Sequence, residues 1–260
     1  MNTTRRQFLT TTAAIAATTA GINFISFAAK ADGHSADVFQ TAAGEVSVHP
    51  VSHASIVLKT PKGTIYVDPV GGGDAYKDFP AADLVIITHH HGDHFKPDTL
   101  AAVVGANTRM ITNPAVFDKL SDDMKARATS IGNGGTSAFN GIGVDAIPAY
   151  NTTAERSKFH PQGRDNGYVL NIDGFRIYIS GDTEDIPEMR ALSNIDLAFV
   201  CMNLPFTMDA KAAAAAVAEF KPTYVYPYHY RGRDGGTQDP AEFAKLVGGA
   251  AQVKLGNWYG

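Results

Sequence analysis

The chain has little cysteine and lacks the repeats and linkers that mark several protein classes. Cys201 is the only cysteine among 260 residues, so no disulfide can form within the chain. Because the sequence shows no cysteine partner or adjacent base for it, we expect Cys201 to be a small core residue. Beyond residue 45 there is no short-period repeat and no low-complexity linker. The glycine run at 71–73 lacks the Lys-Ser/Thr pair of a phosphate-binding P-loop.

Positive charge is also in the minority. The chain has 22 Lys and Arg against 26 Asp and Glu, a formal net charge of −4. Arg5, Arg6 and Lys30 are the only charged residues among the first 31, so taking them away leaves −7 for residues 32–260. Binding a nucleic-acid backbone needs basic surfaces, which this balance disfavours. We therefore expect a small-molecule substrate and no nucleic-acid partner.

The first 31 residues have the pattern of an export signal. Arg5 and Arg6 are followed by Gln-Phe-Leu, by small apolar residues at 13–29 and by an A-x-A site at 29–31. We interpret 1–31 as a cleaved twin-arginine signal, which implies the twin-arginine export machinery as a partner and a periplasmic or secreted bacterial protein. A membrane anchor is the weaker alternative, because the segment is rich in Thr and Ala rather than Leu. Residues 32–260 are enough for a single large domain.

A histidine-rich loop follows a short apolar strand at 83–87. His89 and His91 are two residues apart and can converge on one ion, whereas Asp93 and His94 follow Gly92 and can face a second ion beside it. Imidazole and carboxylate suit zinc, iron, nickel or manganese. Burying so many of them without a cation would be costly. A solvated histidine-rich loop is the alternative, which the preceding buried strand and the included Asp disfavour.

The order H-x-H-x-D-H at the end of a strand resembles the signature of the metallo-β-lactamase superfamily. The resemblance implies that His89 and His91 bind one metal ion and that Asp93 and His94 bind a second. Ser-Gly-Asp-Thr at 180–183 resembles the element whose Asp bridges the two ions, which assigns that role to Asp182. The His of Pro-Tyr-His-Tyr at 227–230, His229, matches the position of the last ligand of the second ion.

The sequence departs from the family pattern at one ligand of the first ion. The superfamily commonly places a third His after a strand like the one at 143–148, but this chain has Pro-Ala-Tyr-Asn at 148–151. His160, on the following loop, is the best replacement, either as a metal ligand or as a substrate contact. Asn151 is a weaker candidate through its carbonyl oxygen.

Other residues are expected around the ions. Asp68 ends the strand at 64–67, and the family resemblance implies that it accepts the other N–H of a ligand imidazole. Ser-His-Ala-Ser at 52–55 resembles a segment of the branch that includes ascorbate-6-phosphate lactonases, in which such a His lies near the active-site mouth. The residues that we predict to contact the substrate are His53, Tyr150, Asn151, Tyr228 and Tyr230.

The resemblance implies an α/β fold, a four-layer αβ/βα sandwich of two mixed sheets with helices on the outer faces. It also implies a metal-dependent hydrolase with two divalent ions, most simply zinc, with manganese or iron as alternatives. A metal-activated water would cleave a small ester, lactone or phosphoester, with Asp93 as the catalytic group that orients it. The alternatives are an iron-dependent redox enzyme on the same fold and a non-catalytic metal- or ligand-binding protein.

Overall fold

The computed structural model describes residues 36–231 and 238–259. The predicted export signal at 1–31, with its arginine pair, lies outside the described residues. None of the helices in the described part of the chain is long and apolar enough to cross a membrane.

The first half of the described chain forms a seven-stranded mixed sheet whose strands lie side by side in sequence order. The first four strands are antiparallel, and β4, β5, β6 and β7 run parallel to one another. The strands are β1 (Asp37–Thr41), β2 (Gly44–Ser52), β3 (Ser55–Thr60), β4 (Gly63–Val67), β5 (Leu84–Ile87), β6 (Arg109–Thr112) and β7 (Ala128–Ser130).

The second half repeats this plan in the opposite order. Its sheet runs from β14 at one edge to β8 at the other, with an antiparallel half, β8 to β11, and a parallel half, β11 to β14. The strands are β8 (Thr136–Phe139), β9 (Ile142–Ala149), β10 (Asp165–Ile172), β11 (Phe175–Ile179), β12 (Leu197–Cys201), β13 (Tyr224–Tyr228) and β14 (Gln252–Val253). The chain passes from one sheet to the other between β7 and β8, in residues 131–135.

Short helices connect the parallel strands. The longest helix in the described residues begins after Asp209, whose carboxylate accepts a hydrogen bond from the backbone N–H of Ala212 at 2.8 Å and so caps the first turn. A 3₁₀ helix spans Gly73–Tyr76. The α-helices are α1 (Pro97–Val103), α2 (Pro114–Phe117), α3 (Asp122–Lys125), α4 (Pro187–Arg190), α5 (Ala210–Phe220) and α6 (Pro240–Val247).

Strand β5 shows how the layers are packed. All four of its residues are buried, and successive side chains of a strand point to opposite faces. Leu84 and Ile86 belong to the large core shared with the second sheet. Val85 and Ile87 belong to a smaller cluster that includes Leu100 of α1. A strand that is buried on both faces has an unbroken run of apolar residues in its sequence. The packing of β5 between the second sheet and α1 confirms the predicted sandwich of two mixed sheets with helices on the outer faces.

Three local details complete the fold. Strand β1 pairs with β2 through a tight turn in which the Thr41 hydroxyl donates to the carbonyl of Gly44 at 2.7 Å. Helix α2 ends at Phe117, and α3 follows as a separate turn. Strands β7 and β8 are close in the chain but lie in different sheets.

Candidate metal centre

The candidate site lies where several strands of both sheets end. Residues 88–94 follow β5, Asp182 follows β11 and His229 follows β13. In the histidine-rich loop, the backbone N–H groups of His94 and Phe95 both donate to the carbonyl of His91, at 3.0 and 2.8 Å. This turn folds the loop back on itself. The three segments meet at one edge of the molecule, where His89, His94 and His229 all lie within 4.0 Å of Asp182.

Three histidines form the first group of ligand atoms. His89, His91 and His160 each offer a ring nitrogen, and these atoms lie within 4.8 Å of one another. Their ring centroids are 4.7 to 5.0 Å apart. His160 thus completes a group of three histidines that could hold one ion. Asn151 does not share the position: its amide donates to the carbonyls of Arg156 and Phe206, at 2.9 and 2.7 Å.

Asp182 lies between this first group and a second group formed by Asp93, His94 and His229. Its Oδ2 is 3.4 Å from His160 Nε2 and 4.0 Å from His89 Nε2. Its Oδ1 is 3.3 Å from His94 Nε2 and 3.4 Å from His229 Nε2. His229 Nε2 is also 3.5 Å from Asp93 Oδ2. Each carboxylate oxygen of Asp182 therefore faces a different group, which is the geometry of a bridging ligand.

Two imidazoles of the site, those of His94 and His89, are oriented by hydrogen bonds to their Nδ1 atoms. Asp68 Oδ2 lies 2.8 Å from His94 Nδ1, as the sequence predicted for this residue, and 2.6 Å from the Thr88 hydroxyl that donates to it. The Thr88 oxygen, with its proton so engaged, can accept from His89 Nδ1 at 3.0 Å. A nitrogen that donates backwards leaves the opposite Nε2 lone pair free for a metal ion.

His160 is oriented in the same way by a residue that sequence reasoning missed. Its Nδ1 lies 3.1 Å from Oδ2 of Asp165, the first residue of β10. Arg164 donates to both oxygens of that carboxylate, at 2.7 Å each. Asp165 belongs to no recognisable motif, and the only signal in the sequence is its place at the start of a strand close after a candidate ligand.

Glu184, two residues after Asp182, accepts hydrogen bonds from the loop that bears His160 and so holds this loop in place. Its Oε2 accepts the backbone N–H groups of Thr152 and Thr153, both at 2.7 Å, and the Thr152 hydroxyl at 2.9 Å. Its Oε1 pairs with Arg156. Burial alone would raise the pKa of Glu184, but the hydrogen bonds from Thr153, Thr152 and Arg156 outweigh it and lower the pKa to about 2.

The buried atoms that face each other across the site have no hydrogen-bond partner among the described residues. They are the Nε2 atoms of His89, His94 and His229 and Oδ1 of Asp182. A buried polar atom left unsatisfied costs about 1–3 kcal/mol. Lone pairs collected around a common space fit a cation, and a set of histidine nitrogens and carboxylate oxygens fits zinc, iron or manganese.

The charge states of His89, His91 and Asp182 also suit a cation. Burial lowers the pKa of His89, and burial together with the nearby His160 lowers the pKa of His91 to about 4, so both imidazoles are neutral. Burial opposes the charged form of Asp182, but His229 and His94 outweigh it and hold the pKa of that carboxyl well below its usual range. Neutral imidazole and ionised carboxylate are the forms that bind metal.

His53 lies at the edge of the second group, where the sequence predicted it. Its Nε2 is 3.4 Å from Asp93 Oδ2, and its ring centroid is 4.0 Å from that of His229. It has a left-handed backbone, with φ of 55°, which is uncommon for a residue other than glycine and is found at functional sites. The side chain of Asp93 is 47% exposed, so this carboxylate is the part of the second group that solvent reaches.

A cleft of about 620 Å³ opens over both groups. Ligands from each group line it, together with side chains that sequence reasoning did not select. These additional lining residues are Lys96, Phe159, Asn203, Phe206 and Arg231. They come from four separate segments with no motif, so only the folded chain shows that they share a surface.

Four of the predicted substrate contacts do not line this cleft. The Tyr150 hydroxyl instead pairs with Glu188 Oε2 at 3.1 Å, and Asn151 is held by the backbone carbonyls described above. Tyr228 is fully buried in the core, packed near Phe199 and Trp258. Tyr230 packs its ring against Tyr259. Their positions correct the prediction, since each side chain is committed to a contact outside the cleft.

Comparison with known proteins agrees with this geometry. A family model described as a beta-lactamase superfamily domain matches residues 47–229. A UPF0173 metal-dependent hydrolase from Pyrococcus abyssi is 32% identical over 182 residues, which cover 68% of this chain and 79% of that protein.

Solved structures give the same result. The structure of a candidate metal-dependent hydrolase from Parabacteroides distasonis matches with a TM-score of 0.78 and 38% identity, covering 87% of this chain and 100% of that one. A metallo hydrolase from Ignicoccus hospitalis, 23% identical over 81% of this chain and 94% of its own, shares the fold with a TM-score of 0.68. The chain therefore belongs to the metallo-β-lactamase superfamily, in the family of the metal-dependent hydrolases that it matches.

Proposed function

We propose that this protein hydrolyses a small molecule with two divalent cations, one in each group of ligands around Asp182. The observation on which this depends is the division of the Asp182 carboxylate, with Oδ2 toward His160 and His89 and Oδ1 toward His94 and His229. The first ion would be held by His89, His91, His160 and Asp182, and the second by Asp93, His94, His229 and Asp182.

Bound divalent cations supply Lewis acidity and lower the pKa of a water molecule, so that hydroxide is available near neutral pH. Asp93 is the residue of the site placed to orient that water, because its carboxylate is half exposed to the cleft. Burial opposes its charge, but the neighbouring imidazoles of His229 and His53 outweigh burial and hold the pKa of Asp93 well below its usual range. Asp93 therefore acts as an ionised acceptor that fixes the direction of the attacking O–H.

The substrate that we propose is a small ester, lactone or phosphoester. The cleft of about 620 Å³ lies in the range of small-molecule sites, roughly 300–1,000 Å³. Its floor contains the histidine and carboxylate ligands, so a carbonyl or phosphoryl centre that enters the cleft meets the ligand groups directly. Zinc is the simplest choice of metal, and manganese and iron suit the same donors.

The test combines metal analysis with turnover on untagged protein. We expect about two equivalents of a divalent metal and hydrolysis of at least one member of an ester, lactone and phosphodiester panel. Asp182→Asn and His160→Gln should each lower bound metal and turnover by about 100-fold or more, since each removes a ligand. Asp98→Asn, at an exposed position in the first turn of α1, is the matched control and should change neither.

The other candidate functions are outcomes of the same test. Wild-type turnover and metal content in Asp182→Asn would refute the proposed site. Bound iron with visible absorption and oxygen consumption would favour a redox enzyme. Bound metal with no turnover on the panel would favour a metal-binding protein without catalysis.

We also propose that the chain is exported, on the basis of Arg5, Arg6 and the A-x-A site at 29–31. Mass spectrometry of a periplasmic fraction should find a protein that begins at Asp32. Replacing Arg5 and Arg6 together by Lys should retain the uncleaved chain in the cytoplasm. Export of that double variant at the wild-type level would refute a twin-arginine route.

A further inference from the structure

We propose that the cleft selects substrates that combine an apolar, preferably aromatic, group with an anionic group, a carboxylate or a phosphate. This inference rests on the proposed function, because it concerns the same cleft, and it is tested here by binding rather than by turnover. Five side chains that do not belong to the ligand groups determine the character of the cleft walls. They are Lys96, Arg231, Phe159, Phe206 and Asn203.

Two cations border the cleft and are suited to an anion. Lys96 is exposed just after the histidine-rich loop, and its Nζ lies over Gly92, so that a Cβ added there would be 3.3 Å from it. Arg231 is exposed just after His229, with its guanidinium carbon 4.2 Å from the centre of the Tyr259 ring. Neither forms an ion pair with a carboxylate in the part of the chain that the structure describes. Apart from metal ligands, the charged residues lining the cleft are these two cations.

Two phenylalanines form an apolar wall of the same cleft. Phe159 and Phe206 come from different loops, and their rings meet edge to face with centroids 5.1 Å apart. Aromatic pairs in this geometry offer a flat apolar surface on which another ring or an alkyl chain can pack. An acidic protein that places two aromatic rings and two cations, neither with an ion-pair partner among the described residues, around one opening suits an amphipathic anion better than a neutral polar molecule.

Asn203 supplies an unused polar group at the base of this wall. It is 4% exposed and lines the cleft, and its Oδ1 has no hydrogen-bond partner among the described residues. Because a buried polar atom is costly when unsatisfied, this amide is suited to a polar atom of the ligand.

Calorimetric binding of three matched probes tests the proposal. The probes are 3-phenylpropanoate, 2-phenylethyl phosphate and the neutral 3-phenylpropan-1-ol, each titrated into metal-loaded and chelator-treated protein. We expect at least one anion to bind roughly tenfold more tightly than the alcohol in both forms. The anion that binds more tightly identifies carboxylate or phosphate as the group selected.

Variants assign the effect to the residues. Lys96→Gln and Arg231→Gln should each weaken anion binding roughly three- to tenfold and leave the alcohol unchanged. Phe206→Leu should weaken all three probes, because it removes the aromatic face from the wall. Lys245→Gln, at an exposed position of α6, is the control and should change nothing.

Three results would overturn the proposal. The alcohol and the anions could bind equally well, or the preference for anions could be lost when the metal is removed. Lys96→Gln could also weaken all three probes to the same extent. These results do not depend on turnover. A protein that binds the anions but hydrolyses nothing would refute the proposed function and leave the ligand class standing.

Discussion

The hydroxyl of Tyr259 lies 3.0 Å from Nδ1 of His53, although 206 residues separate the two in the chain. The same phenol oxygen accepts the backbone N–H groups of Tyr230 and Arg231, both at 3.2 Å. With both acceptor sites of the oxygen in use, its own proton is directed to His53 Nδ1. His53 then bears its proton on Nε2, which lies 3.4 Å from Asp93 Oδ2. Tyr259 thereby makes His53 a hydrogen-bond donor to Asp93 rather than a metal ligand.

Tyr259→Phe should lower kcat by roughly 10–100-fold, because the phenol hydroxyl sets the tautomer of His53. Bound metal and KM should change little, because Tyr259 belongs to neither ligand group and does not line the cleft. Steady-state kinetics and metal analysis on the same preparation measure the three quantities. Tyr230→Phe removes a neighbouring phenol hydroxyl and serves as the control. A Tyr259→Phe protein that has lost its metal would show that the residue supports the ligands themselves.

Asp68→Asn should weaken metal binding by roughly 10–100-fold, since an amide cannot hold the Nδ1 proton of His94 and the Thr88 hydroxyl as a carboxylate does. Competition with a chelator of known affinity gives the value. Asp83→Asn is a matched control, because Asp83 accepts the backbone N–H of Thr64 beside the opposite end of β5. Equal metal affinity in the two variants would contradict the orienting role of Asp68.

Glu184→Gln should destabilise the metal-free protein at pH 7 by about 1–3 kcal/mol, the range for hydrogen bonds to a charged group. The pKa of Glu184 is lowered from 4.5 to about 2, so its contribution is complete above pH 4.5 and is lost as the pH falls toward 2. Urea denaturation of the wild type and the variant at pH 7, 5, 4 and 3 should therefore show a shrinking difference. The control is Glu219→Gln, at an exposed site. If the difference in free energy of unfolding between wild type and Glu184→Gln grows at low pH, the lowered pKa of Glu184 is wrong.

Removal of metal should lower the melting temperature. The Nε2 atoms of His89, His94 and His229 are buried without a hydrogen-bond partner among the described residues. A cation that binds them only in the folded protein, at 100 times its Kd, adds about 2.7 kcal/mol to the free energy of unfolding. Thermal denaturation with and without chelator, followed by addition of zinc, measures the shift. Asp182→Asn should show a smaller shift than the wild type. If the wild type melts at the same temperature with chelator, without chelator and after the addition of zinc, the histidines bind no ion.

The local sequence was sufficient to predict much of the candidate site. The loop at 88–94 concentrates its ligands within seven residues after a strand that is apolar on both faces, and that pattern identifies both the fold and the first ligands. Asp182 and His229 each follow a strand that is readable in the sequence. Because parallel strands of one sheet end at the same edge, the position of such residues can be deduced without coordinates.

The remaining features depend on contacts that sequence patterns do not encode. Tyr228 and His229 are adjacent, but the left-handed backbone of His229, with φ of 47°, turns the chain so that one side chain enters the core and the other the site. The support of His160 by Asp165 depends on where a loop rejoins β10. Tyr259 reaches His53 only through the packing of the chain end against the opposite sheet.

The single crossing between the sheets at 131–135 divides the ligands into two incomplete sets. His89, His91, Asp93 and His94 precede the crossing, whereas His160, Asp182 and His229 follow it. An ion bound in either group would therefore be coordinated by residues from both halves of the chain and would link them. Because neither half by itself presents all the residues of a group, such an ion would be bound only after the two halves have docked.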